Sequence, residues 1–199
     1  MLLRVLFLLF MTLNLNAEGS ARGFYLGVGS GLFLYDDGGL LEKEFGAEHQ
    51  SSGLGYYKFF GGYQMHRVIA IEFSLFNYLV ENSNQEYTYR AVGGFVGPNL
   101  GMTFFQRTIR VFTVLGLSLV SSQHENIKDV SDDMKTALAF HYGLGVTYEP
   151  MNFYDLGFRL ALERDTFATY IEDDIAYTSE TDSYRQNLDQ LYFGVQYKF

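Results

Sequence analysis

The feature that most constrains this chain is an alternation of apolar and polar side chains at a period of two, which recurs along nearly its whole length. In FHYGLGVTY, residues 140–148, Phe140, Tyr142, Leu144, Val146 and Tyr148 share one face, and His141, Gly143, Gly145 and Thr147 share the other. In YDLGFRLALERD, residues 154–165, Tyr154, Leu156, Phe158, Leu160 and Leu162 oppose Asp155, Gly157, Arg159, Ala161 and Glu163. Side chains alternate in this way only along an extended backbone, so both segments read as strands. The short stretch Glu149 to Phe153 between them makes the pair an antiparallel hairpin. The pattern persists to the chain end, where LYFGVQYKF, residues 191–199, puts Leu191, Phe193, Val195, Tyr197 and Phe199 on one face.

The same period predicts eight strands, at about 23–35, 54–65, 68–80, 88–104, 110–121, 140–148, 154–165 and 187–199. On the first, Phe24, Leu26, Val28, Leu32 and Leu34 form the apolar face. Each strand approaches or exceeds the ~9–11 residues that a tilted strand needs to cross a bilayer. The connections near residues 66, 107 and 151 are short, whereas those at about 36–53, 81–87, 122–135 and 168–186 are long and polar. Short turns at one end and long loops at the other are the mark of a membrane barrel. A soluble barrel would bury its apolar face, but here the opposite face reads as glycine, alanine and charge. The expected fold is all-β: an eight-stranded antiparallel transmembrane up-and-down β-barrel with short periplasmic turns and long extracellular loops. An open edge in lipid would leave backbone groups unsatisfied, so the last strand must pair with the first. Tyr63, Phe104, Tyr148, Tyr154, Tyr197 and Phe199 fall near the short-turn ends, where an interfacial aromatic girdle belongs.

Composition excludes several other classes. The 199 residues suit one domain, and no apolar run after residue 17 approaches the length of a membrane helix, ~18 residues or more. Sixteen Tyr and nineteen Phe among 48% hydrophobic residues speak against a disordered chain. The absence of cysteine rules out disulfides, thiol catalysis and a lipidated cysteine. A net charge of -9 argues against a nucleic-acid partner, which would need clustered Lys and Arg. Arg4, the apolar run Val5 to Leu13, and the small-residue site Leu15-Asn16-Ala17 read as a signal peptide over residues 1–17. Gly19-Ser20-Ala21 is a second cleavage choice, and residues 18–199 form the barrel domain.

FFGGYQMHRVIAIEFSLFNY, residues 59–78, resembles a hairpin of the small opacity-protein and OmpX-like barrels. RVFTVLGLSL, residues 110–119, and YGLGVTYEPMNFYDLGFRLALE, residues 142–163, are similar in style to later hairpins of that superfamily, which includes the OmpA transmembrane domain. Tyr197 and the terminal Phe199 resemble the signature by which bacterial outer-membrane barrels are recognised for assembly. The resemblance implies a monomer in the outer membrane of a Gram-negative-type cell, with both termini periplasmic. It also implies contact with outer-membrane lipid and lipopolysaccharide, handling by the barrel assembly machinery, and an extracellular ligand met through the loops.

The inward set Lys58, Glu72, His141, Arg159, Glu163, Gln190, Gln196 and Lys198 predicts a polar network in the lumen. An eight-stranded barrel is only wide enough for side chains to fill it, and opposite charges there must pair. Counting back from the turn at 149–153 places His141 beside Ala161, diagonal to Arg159 and Glu163. The network reads as a structural plug, with a narrow transporter or gated conduit as the second reading. A lipid A-modifying enzyme is a third. Its His-x-Ser pattern becomes His141-Tyr142-Gly143 here, with glycine in place of the hydroxyl, and Ser121-Ser122-Gln123-His124-Glu125 reads as a strand-end loop. No catalytic residue, cofactor or metal site is assigned. Glu172, Asp173 and Asp174 concentrate acid in the last long loop, as solvated surface or as ligands for cations bridging to lipopolysaccharide phosphates. The expected role is structural or surface-interactive, in membrane integrity, adhesion or host contact.

Overall fold

A computed structural model describes residues 22–36, 38, 50–82, 87–105, 108–125, 134–150, 155–172 and 181–199. Among them run β1 (Gly23–Asp36), β2 (Gln50–Gln64), β3 (Ile69–Asn82), β4 (Tyr87–Phe104), β5 (Ile109–Glu125), β6 (Lys135–Tyr148), β7 (Leu156–Glu172) and β8 (Thr181–Lys198). Each strand pairs with its sequence neighbours, and β1 closes on β8 to give an eight-stranded antiparallel barrel. The closing seam runs from Tyr25 opposite Lys198 to Asp36 opposite Asn187, and the Phe199 amide donates to the Phe24 carbonyl at 2.8 Å. The strand periodicity reaches the chain end because that end completes the ladder.

The strands are staggered as well as closed. Following paired residues from Leu26 leads through Gly61, Phe73, Val96, Leu117, Phe140, Thr166 and Asn187 back to β1 at Asp36. This return ten residues further up the same strand tilts the strands against the barrel axis. The β4–β5 ladder is interrupted beside Pro98, which has no N–H to donate. There Gly97 and Gly116 bring the backbones so close that a Cβ on Gly97 would lie 2.0 Å from the Leu115 carbonyl oxygen.

The outer face is apolar and open to its surroundings: Phe24, Leu75 and Leu144 are each at least 60% exposed. Water would penalise such a surface, whereas lipid does not. Phe104, Phe105, Tyr148, Tyr197 and Phe199 are exposed at the short-turn end, and the Phe24 and Tyr63 rings lie 4.7 Å apart there.

Several sequence expectations are corrected. Six strand ends reach further toward the long loops than the alternation indicated, to Gln50, Asn82, Glu125, Lys135, Glu172 and Thr181. On β7 and β8 the outward apolar run stops at Leu162 and Leu191. Beyond it Arg164 Nη2 meets Asp189 at 2.6 Å and Thr166 donates to Asn187 at 2.9 Å, yet the pairing continues. Past the lipid band the outer face meets polar surroundings, so the strands continue there without an outward apolar row. The β6–β7 register also differs: His141 opposes Asp165, and Ala161 opposes Gly145. The turn is wider than the sequence indicated, since β7 starts at Leu156 rather than at Tyr154. The barrel interior is not merely small and polar. Among the described residues, thirteen large apolar or aromatic side chains, from Tyr25 and Phe33 to Leu188 and Tyr192, are buried in it along with the smaller ones. Residues 1–17, Tyr154, Asp173 and Asp174 lie outside the described residues, and Glu172 ends β7 opposite Thr181.

Candidate functional site

Parity on the strands aims one side chain in two at the lumen, and the stagger sorts these into three levels. The middle level holds ions. Arg159 on β7 forms a bidentate pair with Glu72 on β3, Nη1 to Oε2 at 2.9 Å and Nη2 to Oε1 at 2.8 Å. Tyr25 Oη and Asn99 Nδ2 also donate to Glu72, each at 2.7 Å. The Arg159 guanidinium lies between two rings, 4.6 Å from the Phe60 centroid and 4.2 Å from that of Phe112. Two charge-assisted bonds and two aromatic faces fix it in place.

A second centre surrounds Glu163 on β7. Lys58 Nζ on β2 pairs with Glu163 Oε2, and Tyr192 Oη donates to Oε1 at 2.8 Å. Arg159 Nη2 approaches Oε1 at 3.4 Å, and His141 Nε2 lies 3.2 Å from Oε2 without hydrogen-bond geometry. Two residues along β7, Asp165 binds His141 Nδ1 at 2.8 Å, accepts from Gln190 Nε2 at 2.6 Å, and takes a short hydrogen bond from Ser118. Tyr56 Oη donates to Gln190 Oε1 at 2.6 Å. Three carboxylates, Glu72, Glu163 and Asp165, thus face three basic side chains, Arg159, Lys58 and His141, all with at most 2% exposure. Buried ions are tolerable only when paired and hydrogen-bonded in this manner.

Toward the long loops the lumen is aromatic. Tyr35 and Tyr89 stack at 4.0 Å with an interplanar angle of 11°, and Phe33, Tyr56 and Phe76 all pack within 5.5 Å of the Tyr78 ring. Val120, Phe167 and Leu188 fill the space beside them. At the short-turn end the lumen opens into a polar recess that includes Gln64, Asn99, Arg110, Thr147, Gln196 and Lys198.

Of the eight inward residues read from sequence, Lys58, Glu72, His141, Arg159, Glu163 and Gln190 meet in the ion level. Gln196 and Lys198 lie instead in the recess. Asp165, Tyr25, Tyr56, Asn99, Arg110 and Tyr192 were missed. Strand parity alone would have found Asp165, two residues beyond Glu163, and Arg110, two before the inward Phe112. In the Ser121–Glu125 cluster, Ser121 bonds Thr136 while the next residue, Ser122, is buried, so the two hydroxyls do not converge. Among the described residues no cluster of His, Asp and Glu could hold a metal ion.

A closed, staggered eight-stranded barrel with a lipid-compatible exterior and a filled lumen defines an outer-membrane β-barrel protein. A family model for the outer membrane protein beta-barrel domain matches residues 4–199, and the chain belongs to that family. Its fold is similar to that of Neisserial surface protein A, with TM-score 0.60 and 14% identity over 92% of this chain and 100% of that one. It is also similar to Ail, the attachment invasion locus protein of Yersinia pestis, solved with the heparin analogue sucrose octasulfate. There the TM-score is 0.53 and the identity 11%, over 89% of this chain and 99% of that one. OprG of Pseudomonas aeruginosa gives TM-score 0.53 and 12% identity over 88% of this chain and 96% of that one. No curated protein sequence matches the chain.

Proposed function

We propose that this protein is a structural outer-membrane barrel that meets its surroundings through its long loops, in membrane integrity, adhesion or host contact. The filled lumen supports this reading. The ion level leaves Arg159, Glu72, Glu163, Asp165 and His141 at most 1% exposed, and stacked tyrosines cap it on the loop side. Conduction needs a path in which polar groups stay solvated, and here they bind one another instead. Two proteins of similar fold are a surface protein and an attachment protein solved with a heparin analogue, which supports a surface role for a barrel of this size. The proposed partners are lipid and lipopolysaccharide around the exterior, the assembly machinery at Tyr197 and Phe199, and an extracellular ligand at the loops. The proposed loop contacts include the acids Glu172, Asp173 and Asp174, and the proposed state is a monomer.

The test is electrical. Purified protein inserted into planar bilayers should show no large, stable conductance. A steady porin-sized current would overturn the closed-barrel reading and favour transport.

A further inference from the structure

The lipid-facing surface carries a polar notch on β7 and β8. On β7 the outward apolar row ends at Leu162, and Arg164 and Thr166 take the next two outward positions. On β8 it ends at Leu191, and Asp189 and Asn187 follow. The strands on either side stay apolar there. Phe140 on β6 pairs with Thr166, Leu138 continues that row, and Leu34 on β1 pairs with Asp189, each more than half exposed. The stagger of ten residues over eight strands offsets neighbours by little more than one residue, too little to account for two outward positions. A tilted barrel would lower the apolar band smoothly around its girth, whereas here it drops on two strands and recovers on the next one to each side.

The notch is open to its surroundings and has its own chemistry. Arg164 and Asp189 form a bidentate pair through Nε and Nη2, with 41% and 25% of their side chains exposed. Thr166 donates to Asn187 at 2.9 Å, and Asn187 Nδ2 reaches Asp36 Oδ2 on β1 at 3.3 Å. One guanidinium thus meets two carboxylates, whose oxygens each have two acceptor sites. The notch is net negative and richer in acceptors than in donors, so it suits hydroxyl and amide N–H groups and disfavours a phosphate. One outward position further toward the loops on β8, Arg185 is exposed, opposite Ala168 on β7. From the lipid outward the order is therefore apolar, hydrogen-bonding, then cationic. A glycerophospholipid has the wrong order, since its phosphate follows directly on its acyl chains. Lipopolysaccharide has the matching one: its acyl chains hang from amino sugars rich in hydroxyl and amide groups, and those sugars carry phosphates and acidic substituents.

We propose that this notch seats the sugar headgroup of one lipopolysaccharide molecule. Its acyl chains lie against Leu162 and Leu191, its hydroxyl and amide groups meet Asp189, Asn187 and Asp36, and an anionic substituent meets Arg185. The proposal rests on the reading of lipopolysaccharide as a partner of the exterior, and names the place of contact. The test titrates rough-type lipopolysaccharide into the full barrel in nanodiscs of phosphatidylethanolamine and phosphatidylglycerol. Backbone amide resonances of Leu34, Thr166, Asn187 and Asp189 should move along a saturable curve. The double variant Arg164→Leu with Asp189→Leu extends both apolar rows and removes the two paired charges together. It should weaken the curve by about tenfold or more. Arg185→Gln should weaken it too, and should abolish the preference over dephosphorylated lipopolysaccharide. That single exposed change keeps the test decisive if the double variant does not fold. A saturable curve that either variant leaves unchanged would refute the notch while keeping lipopolysaccharide as a partner. Absence of any saturable curve would refute both. Notch resonances that shift with the ratio of protein to lipid instead would assign this surface to a second copy of the chain and overturn the proposal.

Discussion

Replacing Glu163 by alanine tests the ion level most sharply. The change removes the partner of Lys58, the acceptor of Tyr192 at 2.8 Å and the long contact to Arg159 at 3.4 Å. Arg159 keeps its bidentate pair with Glu72, and His141 keeps Asp165, so the uncompensated charge falls on Lys58. Breaking one side of a buried pair costs about 3–5 kcal/mol. That is a large share of a total stability of ~5–15 kcal/mol. At a slope of about 1–3 kcal/mol per molar urea, the unfolding midpoint in lipid vesicles should fall by about 1 M or more. The double variant Glu163→Leu with Lys58→Met removes both charges and leaves two balanced pairs, Arg159–Glu72 and His141–Asp165. Only the Tyr192 hydroxyl is then stranded, at about 1–3 kcal/mol. The double variant should therefore be clearly more stable than Glu163→Ala, and a double-mutant cycle with the singles Glu163→Leu and Lys58→Met measures the coupling directly. Equal midpoints for the wild type and Glu163→Ala, or a double variant no better than the single, would refute the account of the lumen as balanced pairs.

Two further outcomes follow from the ends of the barrel. Deleting Phe199 removes the hydrogen bond that its N–H donates to the Phe24 carbonyl at the closing seam, together with the terminal aromatic of the proposed assembly signal. The folded, heat-modifiable fraction on gels should drop, and normal insertion of the deletion variant would count against this reading of the chain end. Burial raises the carboxyl pKa of Glu149 above its ordinary value, with Lys198 and Arg110 opposing the shift. A carboxylate raised in the folded state favours folding at low pH and loses that contribution as pH rises through its folded pKa. Glu149→Gln should therefore stabilise the barrel at neutral pH, and the gain should vanish below the ordinary carboxyl pKa of about 4.3; a gain independent of pH would contradict the burial argument.

How much of this was legible in the sequence depends on where each residue sits relative to the lipid. Between the interfaces, lipid on one side and lumen on the other impose strict alternation, so the outward row Leu191, Phe193, Val195 and Tyr197 could be read without the structure. Beyond the lipid that constraint lapses, and the outer parts of β7 and β8, Ala168 to Glu172 and Thr181 to Gln186, read as loop. Register was less legible than strand identity. It depends on turn width, and assigning Tyr154 to a strand moved His141 away from Asp165 by four positions while leaving every side chain on its correct face. An even slip preserves the facing of each residue and changes only its partners. For the same reason Lys58, Glu72 and Glu163 could be read as lumen residues although their pairing could not. Arg159 meets Glu72 across the barrel, from β7 to β3, a contact between strands that share no ladder. Contacts of that kind are set by the stagger and the girth of the barrel, quantities that no single hairpin encodes. Arg110 went unread because the apolar run RVFTVLGLSL drew attention to its outward half, where Val111, Leu115, Leu117 and Leu119 are exposed. Its inward half begins with that arginine, one of the residues lining the polar recess at the short-turn end.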